Sequence, residues 1–91
     1  MLVGRRYNVK GRVQRVGFRF FIENAAQREG IQGYVRNRHD GTVEIVAEGD
    51  ADAMQRFEMA VRRGPAGARV DDVETLDVEA SGRFAGFRVT G

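Results

Sequence analysis

Three arginines fall within the stretch GRVQRVGFR, residues 11–19, and no acidic residue precedes Glu23. Apolar residues at helical spacing begin at Phe18, so Arg19 is expected on the first turn of a helix. A helix N-terminus carries partial positive charge, and an exposed cation there is unfavourable by roughly 0.3–1 kcal/mol. The arrangement is easiest to explain if a negatively charged group binds among these arginines.

The glycines at both ends of GRVQRVG, Gly11 and Gly17, allow a short loop between a strand and a helix. Such a loop can point several backbone N–H groups inward as an anion-binding nest. Arg19 can then reach back and contact two oxygens of a phosphate. The spacing is not that of a Walker A loop, which ends in Gly-Lys-Ser/Thr. The alternative is a surface turn with solvated arginines.

The composition excludes several kinds of chemistry. Cysteine is absent and His39 is the only histidine, so no disulfide, thiolate metal site, cysteine nucleophile or histidine cluster is available. The apolar run at the start is too short for a signal peptide or a membrane span, so we expect a cytoplasmic protein with no membrane partner. Residues 1–38 carry nine basic and two acidic side chains, whereas the remainder carries six and eleven. This asymmetry marks an anion-binding end, unless the two halves interleave and cancel.

Hydrophobic spacing predicts the elements. A half-buried strand is expected at 6–13, and a helix begins near Phe18 and stops at Gly30. The sequence RHDG predicts a hairpin turn, and Asp50 is a favourable N-cap for a second helix. Strands follow at 70–80, with a possible bulge, and at 87–90. The residues expected to face the core are Phe18, Phe21, Ile22, Ala25 and Ala26 in the first helix; Val43, Ile45 and Ala47 in the third strand; Ala53, Met54, Phe57, Ala60 and Val61 in the second helix; and Val73 or Leu76 with Val78 in the fourth strand.

The element order is strand, helix, strand, strand, helix, strand, with one short extra strand. Two amphipathic helices need a common surface, which an antiparallel sheet supplies. The expected fold is therefore α+β, a ferredoxin-like sandwich with two helices on one face of an antiparallel sheet of four to five strands. Residues 1–91 are expected to form a single domain. The fold alone does not identify a function.

Two motifs carry a family resemblance. VKGRVQRVGFR resembles the signature of the acylphosphatase family, and GYVRN at 33–37 is similar to that family's second motif. The resemblance covers essentially the whole chain. It implies that an acyl phosphate is hydrolysed to a carboxylate and inorganic phosphate. It also implies that Asn37 positions the attacking water and Arg19 binds the phosphoryl group. The phosphate-binding loop would consist of Gln14, Arg15, Val16, Gly17 and Phe18.

This chemistry agrees with what the sequence lacks. A carboxylate leaving group has a conjugate-acid pKa of about 4, so it departs without a general acid. Positioning and charge stabilisation can supply most of the catalysis, so we expect no metal and no cofactor. Arg15 departs from the family pattern, which usually has Gly there. If that position requires positive φ, an arginine is strained by about 1 kcal/mol or more. Arg15 either strains the loop, adds a second cation near the phosphate, or points to solvent; we expect the last, with activity retained.

Other interpretations remain open. An RNA-binding module can share this topology, but its aromatic motif would lie on the third strand. Here Glu44 and Glu48 are expected on the open face of that strand and would repel phosphate, so we expect no nucleic-acid partner. A third interpretation is an inactive regulatory or carbamoyl-phosphate-handling relative. We expect a monomer, with His39 exposed in the hairpin turn. Phe20 either lines a surface for the acyl part of a substrate or is partly packed at the sheet edge; we expect the second.

Overall fold

The computed structural model describes residues 1–91 and contains the seven predicted elements in the predicted order. The elements are β1 (Leu2–Arg12), α1 (Phe18–Glu29), β2 (Gln32–Asn37), β3 (Val43–Asp50), α2 (Ala51–Arg63), β4 (Arg69–Val78) and β5 (Phe87–Thr90). Strand β1 extends further towards the N-terminus than the predicted 6–13, because residues from Leu2 onward pair with β3.

The five strands form one sheet in the order β4-β1-β3-β2-β5. The β1–β3, β1–β4 and β2–β3 pairs are antiparallel. This is the predicted ferredoxin-like arrangement, and both helices pack on one face of it. The sheet is not wholly antiparallel, since β5 pairs with β2 in parallel. A parallel pair cannot be joined by a tight hairpin, and β2 and β5 are not consecutive in the chain. The chain reaches β5 from β4, which lies at the opposite edge of the sheet, through a connection that spans the strands between them.

The helices follow their predicted apolar stripes. All five predicted core residues of α2 are buried, and in α1 only Phe21 is partly exposed. Gly30 ends α1 in the left-handed conformation, with φ of 70°. Asp50 occupies the N-cap of α2 as predicted, but its side chain makes no capping hydrogen bond. Neither helix is long and apolar enough to span a membrane.

One core cluster of 19 buried residues contains side chains from all seven elements. Val73 is the β4 residue that belongs to this buried cluster, whereas Leu76 is 58% exposed. Leu76 pairs with Arg6, whose side chain lies on the face away from the helices. The predicted bulge is present: Lys10 pairs with Asp72 and Gly11 with Val70, which leaves Asp71 unpaired.

Candidate active site

The loop between β1 and α1 has the features of an anion-binding loop. Just before it, Gly11 near the end of β1 has φ of 130°, and a Cβ there would collide with the backbone carbonyl of Arg69 on β4. At its end, Gly17 is the N-cap of α1, in the left-handed conformation with φ of 76°. The backbone N–H groups of residues 14–20 donate no hydrogen bond within the chain. A set of unpaired N–H groups at a helix N-terminus attracts anions.

Arg15 lies within this loop and is the only non-glycine residue with positive φ, at 62°. The left-handed conformation is unfavourable for a residue with a Cβ by roughly 1–2 kcal/mol. The predicted condition for strain at this position is therefore met. The side chain is exposed and pairs with no carboxylate. The loop therefore contains, at Arg15, both a strained backbone and a guanidinium charge that no carboxylate neutralises.

Arg19 is on the first turn of α1, where no acidic residue is present. Its Nη1 donates a hydrogen bond to the backbone carbonyl oxygen of Thr90 at 3.0 Å. No carboxylate forms an ion pair with Arg19, so its charge is not neutralised within the chain. The contact with Thr90 fixes the side chain and was not predicted, because it joins positions 71 residues apart in sequence.

Asn37 is the last residue of β2 and is brought to the same end of the molecule as the loop. Its side-chain oxygen Oδ1 is buried and has no hydrogen-bond partner. A buried polar atom without a partner is unfavourable by about 1–3 kcal/mol. Such an atom is typical of a site that receives a ligand or an ordered water.

A cavity of about 120 Å³ joins these groups. It brings together Arg19, Asn37 and three residues of the predicted loop, but not Gln14 or Val16. No acidic side chain lines it. The chain also has no group of three or more His, Cys, Asp or Glu side chains placed to hold a metal ion. The cavity is lined by Val13, Arg15, Gly17, Phe18, Arg19, Phe20 and Asn37.

The side chain of Gln14 does not line the cavity, in contrast to what would be expected of a loop residue that faces the ligand. Its side-chain Nε2 donates to the backbone carbonyl oxygens of Arg38 and Thr42, at 2.8 and 2.9 Å. Both carbonyls belong to the β2–β3 hairpin, directly after Asn37. The side chain of Gln14 therefore fastens the loop to the strand end that carries Asn37.

Phe20 is the residue that sequence reasoning undervalued. It is 61% exposed and lines the cavity, which favours the alternative of a surface for the acyl part of a substrate over the expected packing at the sheet edge. The available signal was its helical position between Phe18 and Phe21, which places it outside the buried stripe. His39 is exposed in the turn, as predicted, and does not line this cavity.

The face of the sheet away from the helices, here called the open face, is not the phosphate-repelling surface that was expected. Glu44 is on that face but is buried, with Arg6, Arg36 and Arg38 at 2.9, 2.6 and 3.3 Å from its carboxylate. Burial alone would raise the pKa of Glu44, but these arginines lower the pKa below its usual value. Glu48 is also buried. The expectation that these carboxylates repel phosphate is wrong, because neither is exposed and Glu44 is surrounded by cations.

Comparisons with known proteins identify the family of the chain. The family model described as acylphosphatase matches residues 5–89. A curated acylphosphatase of Koribacter versatilis is 45% identical over 87 residues, which cover 96% of this chain and 79% of that protein. One of Pyrobaculum arsenaticum is 48% identical over 82 residues, covering 89% and 86%. The crystal structure of acylphosphatase from Bacillus subtilis superposes with a TM-score of 0.94 at 38% identity, and each chain is covered completely.

Proposed function

Because the chain belongs to the acylphosphatase family and is an acylphosphatase enzyme, we propose that the cavity between the β1–α1 loop and Asn37 is where it hydrolyses acyl phosphates. The observation that carries this assignment is the meeting of Arg19 and Asn37. They are 18 positions apart in sequence (37 minus 19), yet they line one cavity that has no acidic side chain. An anionic phosphoryl group is compatible with such a cavity.

The phosphoryl group binds at the N-terminus of α1. The N–H groups of the loop have no partner within the chain and are free to donate to phosphate oxygens. Arg19 uses one donor for Thr90, and a guanidinium has five, so donors remain for the phosphoryl oxygens. The same donors stabilise the charge that shifts among the oxygens in the transition state.

Asn37 holds the attacking water. Its Oδ1 is buried without a partner, so a water that donates one hydrogen to it restores the missing hydrogen bond. A neutral amide orients water without placing negative charge beside an anionic substrate. A carboxylate at the same position would repel the phosphoryl group.

The reaction needs no further group from the chain. The water oxygen forms a bond to phosphorus while the bond from phosphorus to the acyl oxygen breaks. The bonding electrons leave on the carboxylate, and the water protons remain on inorganic phosphate or pass to solvent. A carboxylate with a conjugate-acid pKa of about 4 leaves without protonation.

The test is phosphate release from acetyl phosphate, with a phosphomonoester as the control substrate. We expect release from acetyl phosphate only. Inorganic phosphate should inhibit competitively, because the loop and Arg19 bind the phosphoryl group whatever it is attached to. Arg19→Ala should abolish hydrolysis, whereas Arg28→Ala removes an exposed, unpaired arginine at the other end of α1 and should not. Purely noncompetitive inhibition by phosphate would contradict the assignment of the site, as would equal losses of hydrolytic activity in Arg19→Ala and Arg28→Ala.

A further inference from the structure

The connection between β4 and β5, residues 79–86, crosses the open face of the sheet. The two strands occupy opposite edges, so this segment must pass over the strands between them. It contacts β3 through Ser81 and Gly82, and then β2 through Phe84, whose ring packs on that of Tyr34. The face opposite the helices is therefore partly covered by this one segment.

A buried carboxylate fixes the segment in place. Glu48 accepts hydrogen bonds from the Ser81 N–H at 2.7 Å, from the Ser81 hydroxyl at 3.0 Å and from the Gly82 N–H at 2.9 Å. Burial alone would raise the pKa of Glu48, but these hydrogen bonds lower the pKa below its usual value. The residues that follow, Arg83 and Phe84, are thus held at a defined position above the sheet.

A groove of about 660 Å³ lies between this segment and strands β2 and β5. The Tyr34 and Phe84 rings, with centroids 6.1 Å apart and an angle of 59° between their planes, form its aromatic part. None of its lining residues is acidic, and none also lines the catalytic cavity. The groove is lined by Gly33, Tyr34, Arg36, Arg83, Phe84, Ala85, Arg88 and Thr90.

Two of the three arginines in the groove have no partner within the chain. Arg36 is bound to Glu44, but the guanidinium groups of Arg83 and Arg88 make neither an ion pair nor a hydrogen bond within the chain. Two free guanidinium groups beside an aromatic pair suit a ligand that has a dianionic group and a flat ring. Arginine pairs with phosphate through two hydrogen bonds, and aromatic side chains stack on bases.

We propose that this groove binds a nucleoside phosphate. The base stacks on the Tyr34–Phe84 pair, and the phosphate lies between Arg83 and Arg88. The proposal is for a single nucleotide rather than a nucleic-acid strand, because the groove contains one aromatic pair and two arginines without a partner, which suffice for one base and one phosphate. The neighbouring arginines of the open face, Arg6, Arg36 and Arg38, share the Glu44 carboxylate.

The experiment is calorimetric titration of the full-length Arg19→Ala variant, in which the catalytic loop has lost its phosphate-binding arginine. The probes are adenosine 5′-monophosphate, adenosine and ribose 5-phosphate. Adenosine monophosphate should bind about tenfold more tightly than either fragment, since only it engages both parts of the groove. In that background Arg83→Ala, Arg88→Ala or Phe84→Ala should weaken binding by about fivefold or more, whereas Arg28→Ala should change it by less than about twofold.

Equal affinity for adenosine monophosphate and ribose 5-phosphate would overturn the proposal. Equal losses of affinity for adenosine monophosphate in Arg28→Ala and Arg88→Ala would overturn it as well. A short single-stranded RNA that binds far more tightly than the mononucleotide would overturn the assignment to a single nucleotide. Circular dichroism checks that each variant is folded. With Arg19 intact, Arg83→Ala and Arg88→Ala should hydrolyse acetyl phosphate at the normal rate, so failure here leaves the catalytic assignment unaffected.

Discussion

The guanidinium group of Arg19 and the backbone carbonyl oxygen of Thr90 are joined by a hydrogen bond of 3.0 Å between Nη1 and O. It connects the first turn of α1 to β5, the short strand that pairs in parallel with β2. The contact restricts the rotamers of a long side chain before substrate binds. Preorganised donors stabilise a transition state without having to reorient during the reaction.

Arg19→Lys should therefore fail although it keeps the positive charge. A lysine ammonium is a point charge without the planar fork that contacts Thr90 and two phosphate oxygens together. We expect kcat/KM to fall by about 100-fold and the affinity for inorganic phosphate to fall with it. Steady-state rates and calorimetry measure the two quantities. Arg28→Lys is the matched control on the same helix, and near-normal turnover in Arg19→Lys would contradict the bidentate role.

Asn37→Ala should separate binding from turnover. The loop and Arg19 remain intact, so inorganic phosphate should still bind within a few-fold of normal. Turnover should fall by about 100-fold, the scale observed when one positioned polar group is lost. Asn37→Asp should lose phosphate affinity as well, because its carboxylate repels the phosphate. If Asn37→Ala loses phosphate binding as completely as Arg19→Ala does, Asn37 is a phosphate ligand and not a water-positioning residue.

Arg15→Gly should stabilise the fold. Glycine adopts the φ of 62° observed at this position without the Cβ clash, a gain that its greater freedom in the unfolded chain reduces. We expect the free energy of unfolding to rise by about 0.5–1 kcal/mol, measured by urea denaturation. Arg15→Ala is the control, because it removes the guanidinium but keeps the Cβ. A similar gain in both variants would show that charge, not backbone strain, is the cause.

Phe20→Ser should change which acyl phosphates are preferred. Phe20 is 61% exposed at the cavity, and we expect its ring to contact the acyl part of a bound substrate. We expect KM for benzoyl phosphate to rise by about tenfold, the effect of losing one apolar contact, with little change for acetyl phosphate. Met59→Ser removes a comparably exposed apolar side chain from α2 and serves as the control. A parallel rise for both substrates would rule out an acyl-specific contact.

Glu48→Gln should weaken the acid dependence of stability. In the native protein the pKa of Glu48 is lowered, so its ionised form stabilises the fold above the unfolded-state pKa of about 4.3. That contribution is lost as the pH falls through the lower native pKa. We expect the variant to be less stable by about 1–3 kcal/mol near neutral pH, with a smaller difference in acid. Urea denaturation at several pH values measures it, and a difference independent of pH would contradict the role of the charge.

Much of the fold could be predicted because it depends on local patterns. The stripe from Ala53 to Val61 specifies α2 by its spacing alone, and Gly30 ends α1 because glycine tolerates the left-handed conformation. Leu76 was ambiguous for a physical reason. A strand exposes alternate residues to opposite faces, so Val73 and Leu76 lie on opposite faces of β4, and either apolar side chain could have belonged to the core face. The pairing of Val73 with Val9 and of Leu76 with Arg6 decides which one packs under the helices, and no local pattern specifies that pairing.

The candidate site likewise has one part that local sequence predicts and another part that it does not. The sequence by itself determined that a glycine-flanked loop with Arg19 precedes α1, since the residue types and their spacing are local. Only the tertiary structure decided that Asn37 shares a cavity with that loop, that Thr90 holds Arg19, and that Glu44 is buried among arginines. These contacts depend on strand order and on the parallel pairing of β5, which bring distant parts of the chain together. Periodicity along the chain carries no information about which strands become neighbours.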